Sequence, residues 1–285
     1  MNSKIHMRRM TASDLAFADS LRASAGWNQT LSDWQRLLAY EPDGCFLAEW
    51  EGSPAGTATT TRYGRDLAWI GMVLVHPDYR RRGIGLALLQ QCLDYLQDVR
   101  CIKLDATPLG RGLYQQLGFQ EEWNLTRWEG ACAPAQGTIL APKLHPWEAS
   151  LAEDRELLDE QAFGVSRRTM VEQLAKDSAR ALISRDASKR LDGYGMLREG
   201  ARALYLGPVV ANEPEVGMKL IKQLTAGTGR KTLYWDIPEQ NSAAIKLAQK
   251  LGLRPQRQLL RMFRGQNRCP GNPLYQFAIA DPAMG

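Results

Sequence analysis

Histidine and cysteine, on which most protein metal sites and many nucleophilic mechanisms depend, are sparse: three and five among 285 residues. His6, His76 and His145 stand far apart, without the close spacing of a ligand pair. Cys45, Cys92, Cys101, Cys132 and Cys269 are odd in number, include no C-x-x-C pair and sit mostly among apolar neighbours. That pattern argues against a disulfide framework and a structural zinc site, and fits a reducing compartment. No metal is expected. Long apolar runs are missing too: no stretch reaches the roughly 18 residues of a membrane span, and the opening MNSKIHMRRM lacks the apolar centre of an export signal. The expectation is a soluble, cytoplasmic protein with no membrane partner. Nor is there a block of one charge. The 36 Lys and Arg against 31 Asp and Glu leave a net charge of +5, interspersed along the chain. This balance favours an anionic ligand, and no basic helix or aromatic-basic sheet motif points to nucleic acid.

What is present is a mixed α/β pattern of a length that suits two domains. The spacing predicts a strand over 4–10, a helix through TASDLAFADSLRAS capped at Thr11 or Ser13, and a short helix at TLSDWQRLLAY. CFLAEW and AGTATTTRY read as a hairpin across the turn EGSP, and LAWIGMVLV as a strand buried on both faces. A helix from Ile84 to Leu96, a strand CIKLDA, a helix through GRGLYQQLG and a strand EEWNLTRWEG complete one unit over residues 1–130. Residues 131–146, rich in Pro, Ala and Gly, read as a linker. Over 147–285 the order repeats, ending in the strand RQLLRMFRG. QNSAAIKLAQKLGL (240–253) matches ATPLGRGLYQQLGF (106–119), with Leu247 on Leu113, as expected of a duplicated unit.

The chemistry concentrates in MVLVHPDYRRRGIGLALLQQ, where an apolar strand ends in a basic, glycine-punctuated turn that opens a helix. A helix N-terminus presents unpaired N–H groups and partial positive charge, so it binds anions. Gly83 and Gly85 let a phosphate approach the backbone, and Arg80, Arg81 and Arg82 surround it with charge. G-x-x-x-x-G-K-[ST] is absent, and Leu88 stands where G-x-G-x-x-G needs its third glycine. The turn taken alone also fits an ordinary strand-to-helix connection with solvated arginines.

Arg80 to Gly85 resembles the acyl-CoA signature Q/R-x-x-G-x-G/A of the GNAT superfamily of N-acetyltransferases, and GLYQQLGF resembles that superfamily's following L-Y-x-x-x-G-F motif. The resemblance covers residues 4–130 and, more weakly, the second half, as in tandem GNAT proteins with a degenerate second domain. It implies two domains, each with a mixed, mostly antiparallel sheet flanked by helices. It also implies acetyl-CoA as cosubstrate and transfer to a primary amine, here of a small molecule. Under it, the backbone of Val73, Leu74 and Val75 pairs with the pantetheine arm, and the amides of Arg81, Arg82, Gly83, Ile84, Gly85 and Leu86 hold the pyrophosphate. Thr107 stands where family members often carry an Asn contacting the cofactor. Tyr114 matches the tyrosine that protonates the departing thiolate; its alternative is a core aromatic.

Trp27 and Asn28 are candidates for the acceptor pocket or for core packing. No Asp or Glu lies on the strand Leu67 to Val75, so the general base is not assigned. In the second half Glu213 and Glu215 replace the basic turn and Ala248 replaces the tyrosine, while Asn241 and Ala244 keep the spacing. That copy is expected to have lost the cofactor and to serve a structural role. The competing class is a non-catalytic, CoA-responsive binding protein.

Overall fold

The computed structural model describes residues 4–131, 144–229 and 231–285. The first half runs β1 (Ile5–Arg9), α1 (Leu15–Ser24), α2 (Leu31–Tyr40), β2 (Cys45–Trp50), β3 (Ser53–Tyr63), β4 (Leu67–Val75), α3 (Ile84–Tyr95), β5 (Cys101–Ala106), α4 (Arg111–Gln116) and β6 (Gln120–Ala131). Helix α2 begins where it does because Thr30 and Asp33 cap each other. The Thr30 N–H donates to the Asp33 carboxylate at 2.7 Å, and the Thr30 hydroxyl accepts from the Asp33 amide. The second half contributes β7 (His145–Pro146), α5 (Ala152–Phe163), α6 (Arg168–Lys176), β8 (Arg180–Arg185), β9 (Leu191–Arg198), β10 (Leu204–Ala211), α7 (Pro214–Thr225), β11 (Thr232–Pro238), α8 (Ser242–Lys250), β12 (Arg254–Gly265) and β13 (Gln276–Ala278). Both ends of the expected linker belong to strands, Ala131 to β6 and His145–Pro146 to β7; its interior, 132–143, lies outside the described residues. No helix among the described residues is long and apolar enough to cross a membrane.

The strands form one continuous sheet in the order β1-β2-β3-β4-β5-β12-β6-β11-β10-β9-β8-β7, with β13 paired to β10. Only β4–β5 and β10–β11 are parallel among the described pairs, one such junction in each half. This order corrects one expectation. The first unit is not completed by its own last strand, because β12 of the second half lies between β5 and β6, while β6 pairs with β11. Buried ion pairs stand at the exchanged registers. Asp105 faces Arg261 across β5–β12 with contacts of 2.9 and 3.0 Å, and Arg127 faces Asp236 across β6–β11 at 2.8 and 2.6 Å. A one-residue slip would leave both arginines unpaired in the interior, so these pairs help to specify register.

Strand β4 is buried on both faces, as its unbroken apolar run predicts. Its Ala68 and Ile70 join the core under α3, and Leu67 and Trp69 join the opposite core. That second core takes Leu15, Leu21 and Trp34 from the first half together with Phe163, Met170 and Tyr194 from the second. The halves thus share a hydrophobic core as well as a sheet.

Candidate active site

Strands β4 and β5 stay paired only from Leu67–Trp69 against Cys101–Lys103. Past that point β4 bulges: Met72 and Val73 stand opposite the single residue Ala58, and Met72 adopts a left-handed φ of +49°. The Thr57 hydroxyl donates to the Met72 carbonyl at 3.0 Å and holds the bulge in place. A cleft opens where the two strands part. Its walls include Ile70 to Val73 of β4, Leu104 and Asp105 of β5, Thr107 and Tyr114.

Tyr114, on α4, lies half-buried with its ring edge-on to Phe119 at 6.0 Å. Burial, reinforced by the nearby Cys92 thiol, pushes its phenol up to about 12, so it is protonated at neutral pH. Among the described residues the hydroxyl has no hydrogen-bond partner. A protonated phenol thus lines the cleft. Asp105, also on the cleft wall, is committed to Arg261; burial raises its carboxyl above the ordinary value, and the Arg261 charge opposes that shift.

Beside the cleft lies the N-terminus of α3. Gly83 is its cap, in a left-handed conformation at φ +86° that favours glycine, and Arg81 before it is also left-handed at +61°. The space over the turn is open. A Cβ on Gly85 would meet only Val75 and Leu113, at ordinary distances of 3.8 and 3.9 Å, and one on Gly83 would meet nothing. Packing within the protein therefore does not require a glycine at 85, whereas a phosphate seated on the first amides of α3 does. Arg80, Arg81 and Arg82 are exposed and make no ion pair among the described residues. The Arg82 guanidinium stacks on Trp50 at 5.0 Å and on Tyr79 at 5.5 Å.

Of the residues expected to form the site, Trp27, Val73, Thr107 and Tyr114 line one cleft, and Arg80 to Leu86 form the adjoining turn. Two expectations need correction. Asn28 does not line the cleft: it is buried, its side-chain carbonyl accepts from the amides of Arg202 and Ala203 at 2.9 Å, and its Nδ2 donates to the Ala203 carbonyl at 3.1 Å. Its amide is spent joining the two halves. The carbonyl of Val75 accepts from Arg80 Nε at 3.3 Å, so its acceptor capacity is shared with the protein. Cleft residues that sequence reasoning missed include, outside β4 and β5, Gln29, Leu259, Pro282 and Ala283. Gln29 lies in a segment, 27–30, without helix or ladder, where no periodicity marks which side chain faces the cleft. The other three come from the second half, and no local pattern marks them. Among the described residues no group of His, Cys, Asp and Glu could hold a metal.

Comparison with known proteins agrees with this geometry. The GNAT acetyltransferase family model matches residues 14–119, and a GNAT acetyltransferase domain model matches 156–278. The chain belongs to the GNAT superfamily, as a tandem of two domains. Its coarse activity is therefore acyl transfer. It is 26% identical over 223 residues to the uncharacterised N-acetyltransferase YitH of Bacillus subtilis, a match spanning 78% of each chain. It is 23% identical over 242 residues to a holothin acyltransferase of a Pseudoalteromonas species, covering 84% of this chain and 81% of the other. A solved structure of a candidate acetyltransferase from Pyrococcus horikoshii superposes over 100% of this chain and 97% of its own, with a TM-score of 0.84 and 25% identity. A tandem GNAT protein from the clavulanic acid biosynthesis pathway covers 91% of this chain and 98% of its own, at a TM-score of 0.68 and 17% identity.

The second GNAT domain has the same parallel junction, but its gap is filled. Past Leu204–Leu206, where β10 pairs with β11, the partner of Val209 and Val210 is β13. The indole N–H of Trp235 on β11 donates to the Phe277 carbonyl at 2.7 Å, and the Ile279 amide donates to the Asp236 carbonyl at 3.2 Å. Asn241, at the place that Thr107 holds in the first GNAT domain, donates to the carbonyls of Leu274 and Gln276 at 3.0 and 3.2 Å. The Phe277 ring packs on Gly217, where a Cβ would come within 2.6 Å of it. The second domain thus uses its cleft residues to bind its own chain.

Proposed function

We propose that the first GNAT domain transfers an acetyl group from acetyl-CoA to a primary amine of a small molecule by direct attack. The observation that carries this reading is the open junction of β4 and β5 with a protonated tyrosine in the cleft and an unfilled, basic glycine turn beside it. When bound, acetyl-CoA supplies an acetyl thioester. The amides of Arg81 to Leu86 are suited to hold the pyrophosphate, and the arginines around them to add charge. The parted edge of β4 at Val73 has backbone groups for the pantetheine arm, whereas Leu74 is paired with Thr57 of β3 and its carbonyl faces that strand; Thr107 offers a hydroxyl on the same wall.

The chemical step needs a neutral amine. Its nitrogen forms a bond to the thioester carbonyl carbon, the C–S bond breaks, and the nitrogen gives up one proton to water. Tyr114 donates a proton to the sulfur and regains one from solvent, so the balance is one amide and one free thiol. The relative named for acylating holothin supports a small-molecule acceptor.

The test is thiol release from acetyl-CoA across a panel of amines, with calorimetric titration of the cofactor. One site per chain and amine-dependent thiol release are expected. In Gly85→Ala, whose methyl group the fold can hold, affinity for acetyl-CoA should fall by about tenfold or more while the thermal midpoint stays within a few degrees. Tight binding with no release on any amine would favour the CoA-responsive binder; unchanged affinity in the folded variant would sink the cradle.

A further inference from the structure

Gln29 enters the cleft wall with its hydrogen bonds half made. The residue is 5% exposed, its Nε2 donates to Asp281 Oδ1 at 2.7 Å, and its Oε1 has no partner among the described residues. The orientation of the amide follows from its neighbour. Asp281 Oδ1 also receives the Ala283 amide at 2.8 Å, and Arg198 stands 3.9 Å from Oδ2, so Asp281 is an acceptor on every side. Only the NH2 end of Gln29 can turn toward it. The carbonyl is the end left over. A buried carbonyl without a donor has lost its water and gained nothing in return, and this one belongs to a residue that shares a cleft with Trp27, Val73 and Tyr114.

The charges around the cleft narrow what could complete that bond. Gln29, Asp105, Thr107 and Tyr114 are its polar lining residues, and among the described residues no Lys or Arg joins them. The Arg261 guanidinium is taken by Asp105 and lies between the rings of Trp69 and Trp123 at 4.5 and 4.0 Å, and that of Arg198, beside Asp281, is taken by Asp33 at 3.3 Å and the Gly207 carbonyl at 3.2 Å. A ligand carboxylate would find no free cation there and two buried carboxylates, Asp105 and Asp281, close by. An amine finds the opposite: a carbonyl to accept its N–H and the apolar faces of Trp27, Met72 and Leu259.

Building on the acetyl-transfer reading, we propose that Gln29 recognises the acceptor. Its Oε1 accepts an N–H of the incoming amine, Asp281 acts as a positioning residue that holds the amide in that orientation, and the acceptors are primary amines on an uncharged apolar body rather than α-amino acids.

The experiment is steady-state thiol release from acetyl-CoA with 2-phenylethylamine and with phenylalanine, the same body carrying a carboxylate on the amino-bearing carbon. Wild type should favour 2-phenylethylamine in kcat/KM by roughly 100-fold, and Gln29→Met should lower that value by about 10- to 100-fold with the KM for acetyl-CoA unchanged. A merely structural role would move cofactor KM and thermal midpoint as well. Phenylalanine used as well as the amine by wild type overturns the proposal without any variant, should Gln29→Met fail to fold. An unchanged acceptor kcat/KM in a folded Gln29→Met also overturns it. In both cases acetyl transfer itself stands. Thiol release with neither compound but with other amines overturns the substrate class, and no release with any amine overturns the acetyl-transfer reading beneath it.

Discussion

At the scale of single residues, the proposed chemistry rests on one phenol. Tyr114 is pushed up to about 12 by burial, and a phenol donates only below its pKa. Over the neutral range it is therefore always in the donating form, and kcat should rise with pH as the amine loses its proton, with no falling limb from Tyr114 until about pH 11. Tyr114→Phe keeps the edge-on contact with Phe119 and removes only the donor. Single-turnover transfer should fall by roughly 10² to 10⁴ with acetyl-CoA affinity little changed. A falling limb near pH 9 that disappears in the Phe variant would show a phenol far more acidic than this environment makes it, and an unchanged chemical step would return Tyr114 to the core. Residues of this kind were legible because their signals are local: a tyrosine four residues before Gly118, and glycines at the start of a helix. Asn28 and Gln29 were not. In a segment without helix or ladder, only the surrounding fold decides which side chain faces the cleft, and there Asn28 turned away to bind residues 202 and 203.

At the scale of elements, helices and long strands were readable because each carries its own period and caps, as the Thr30–Asp33 pair shows. Strand β13 carried no such sign. It is three residues long, follows a stretch rich in Pro, Gly and Asn, and exists because β10 and β11 part and leave backbone groups to be paired. Its seat explains why the sequence of the second domain keeps Asn241 although the basic turn is gone: the side chain now binds carbonyls of its own chain. Gly217→Ala is a direct probe of that seat. The added methyl would come within 2.6 Å of the Phe277 ring, so the ring must shift, at a cost of about 1–3 kcal/mol. Denaturant unfolding should record the loss, and hydrogen exchange at residues 274–279 should quicken. Acetyl-CoA stoichiometry should remain one per chain, because Glu213 and Glu215 still replace the basic turn. A second cofactor site appearing in Gly217→Ala would mean that β13 alone, and not the lost turn, keeps the second domain empty.

At the scale of the whole molecule, two duplicated domains read from sequence as two successive units, and the strand exchange contradicts that reading. Alternation within EEWNLTRWEG or RQLLRMFRG reports which face is buried and nothing about which neighbour covers its edge. The partner is specified by distant charges: Asp105 with Arg261, and Arg127 with Asp236. Cutting between the domains would therefore separate what folding joins. Residues 1–131 alone would leave β5 and β6 without β12 between them, Asp105 buried without its arginine, and Leu15, Leu21 and Trp34 without Phe163, Met170 and Tyr194. An unpaired buried charge of this kind costs about 3–5 kcal/mol, a large share of the roughly 5–15 kcal/mol that holds a domain together. The first fragment expressed alone should be unfolded or aggregated, with no acetyl-CoA binding. Co-expressed with residues 144–285, it should be recovered as a folded complex that binds one acetyl-CoA, and the intact chain should unfold in a single transition seen equally by circular dichroism and tryptophan fluorescence. A soluble 1–131 fragment that binds acetyl-CoA with the affinity of the full chain would show that the exchanged strand can be dispensed with, and that the two domains are separable after all.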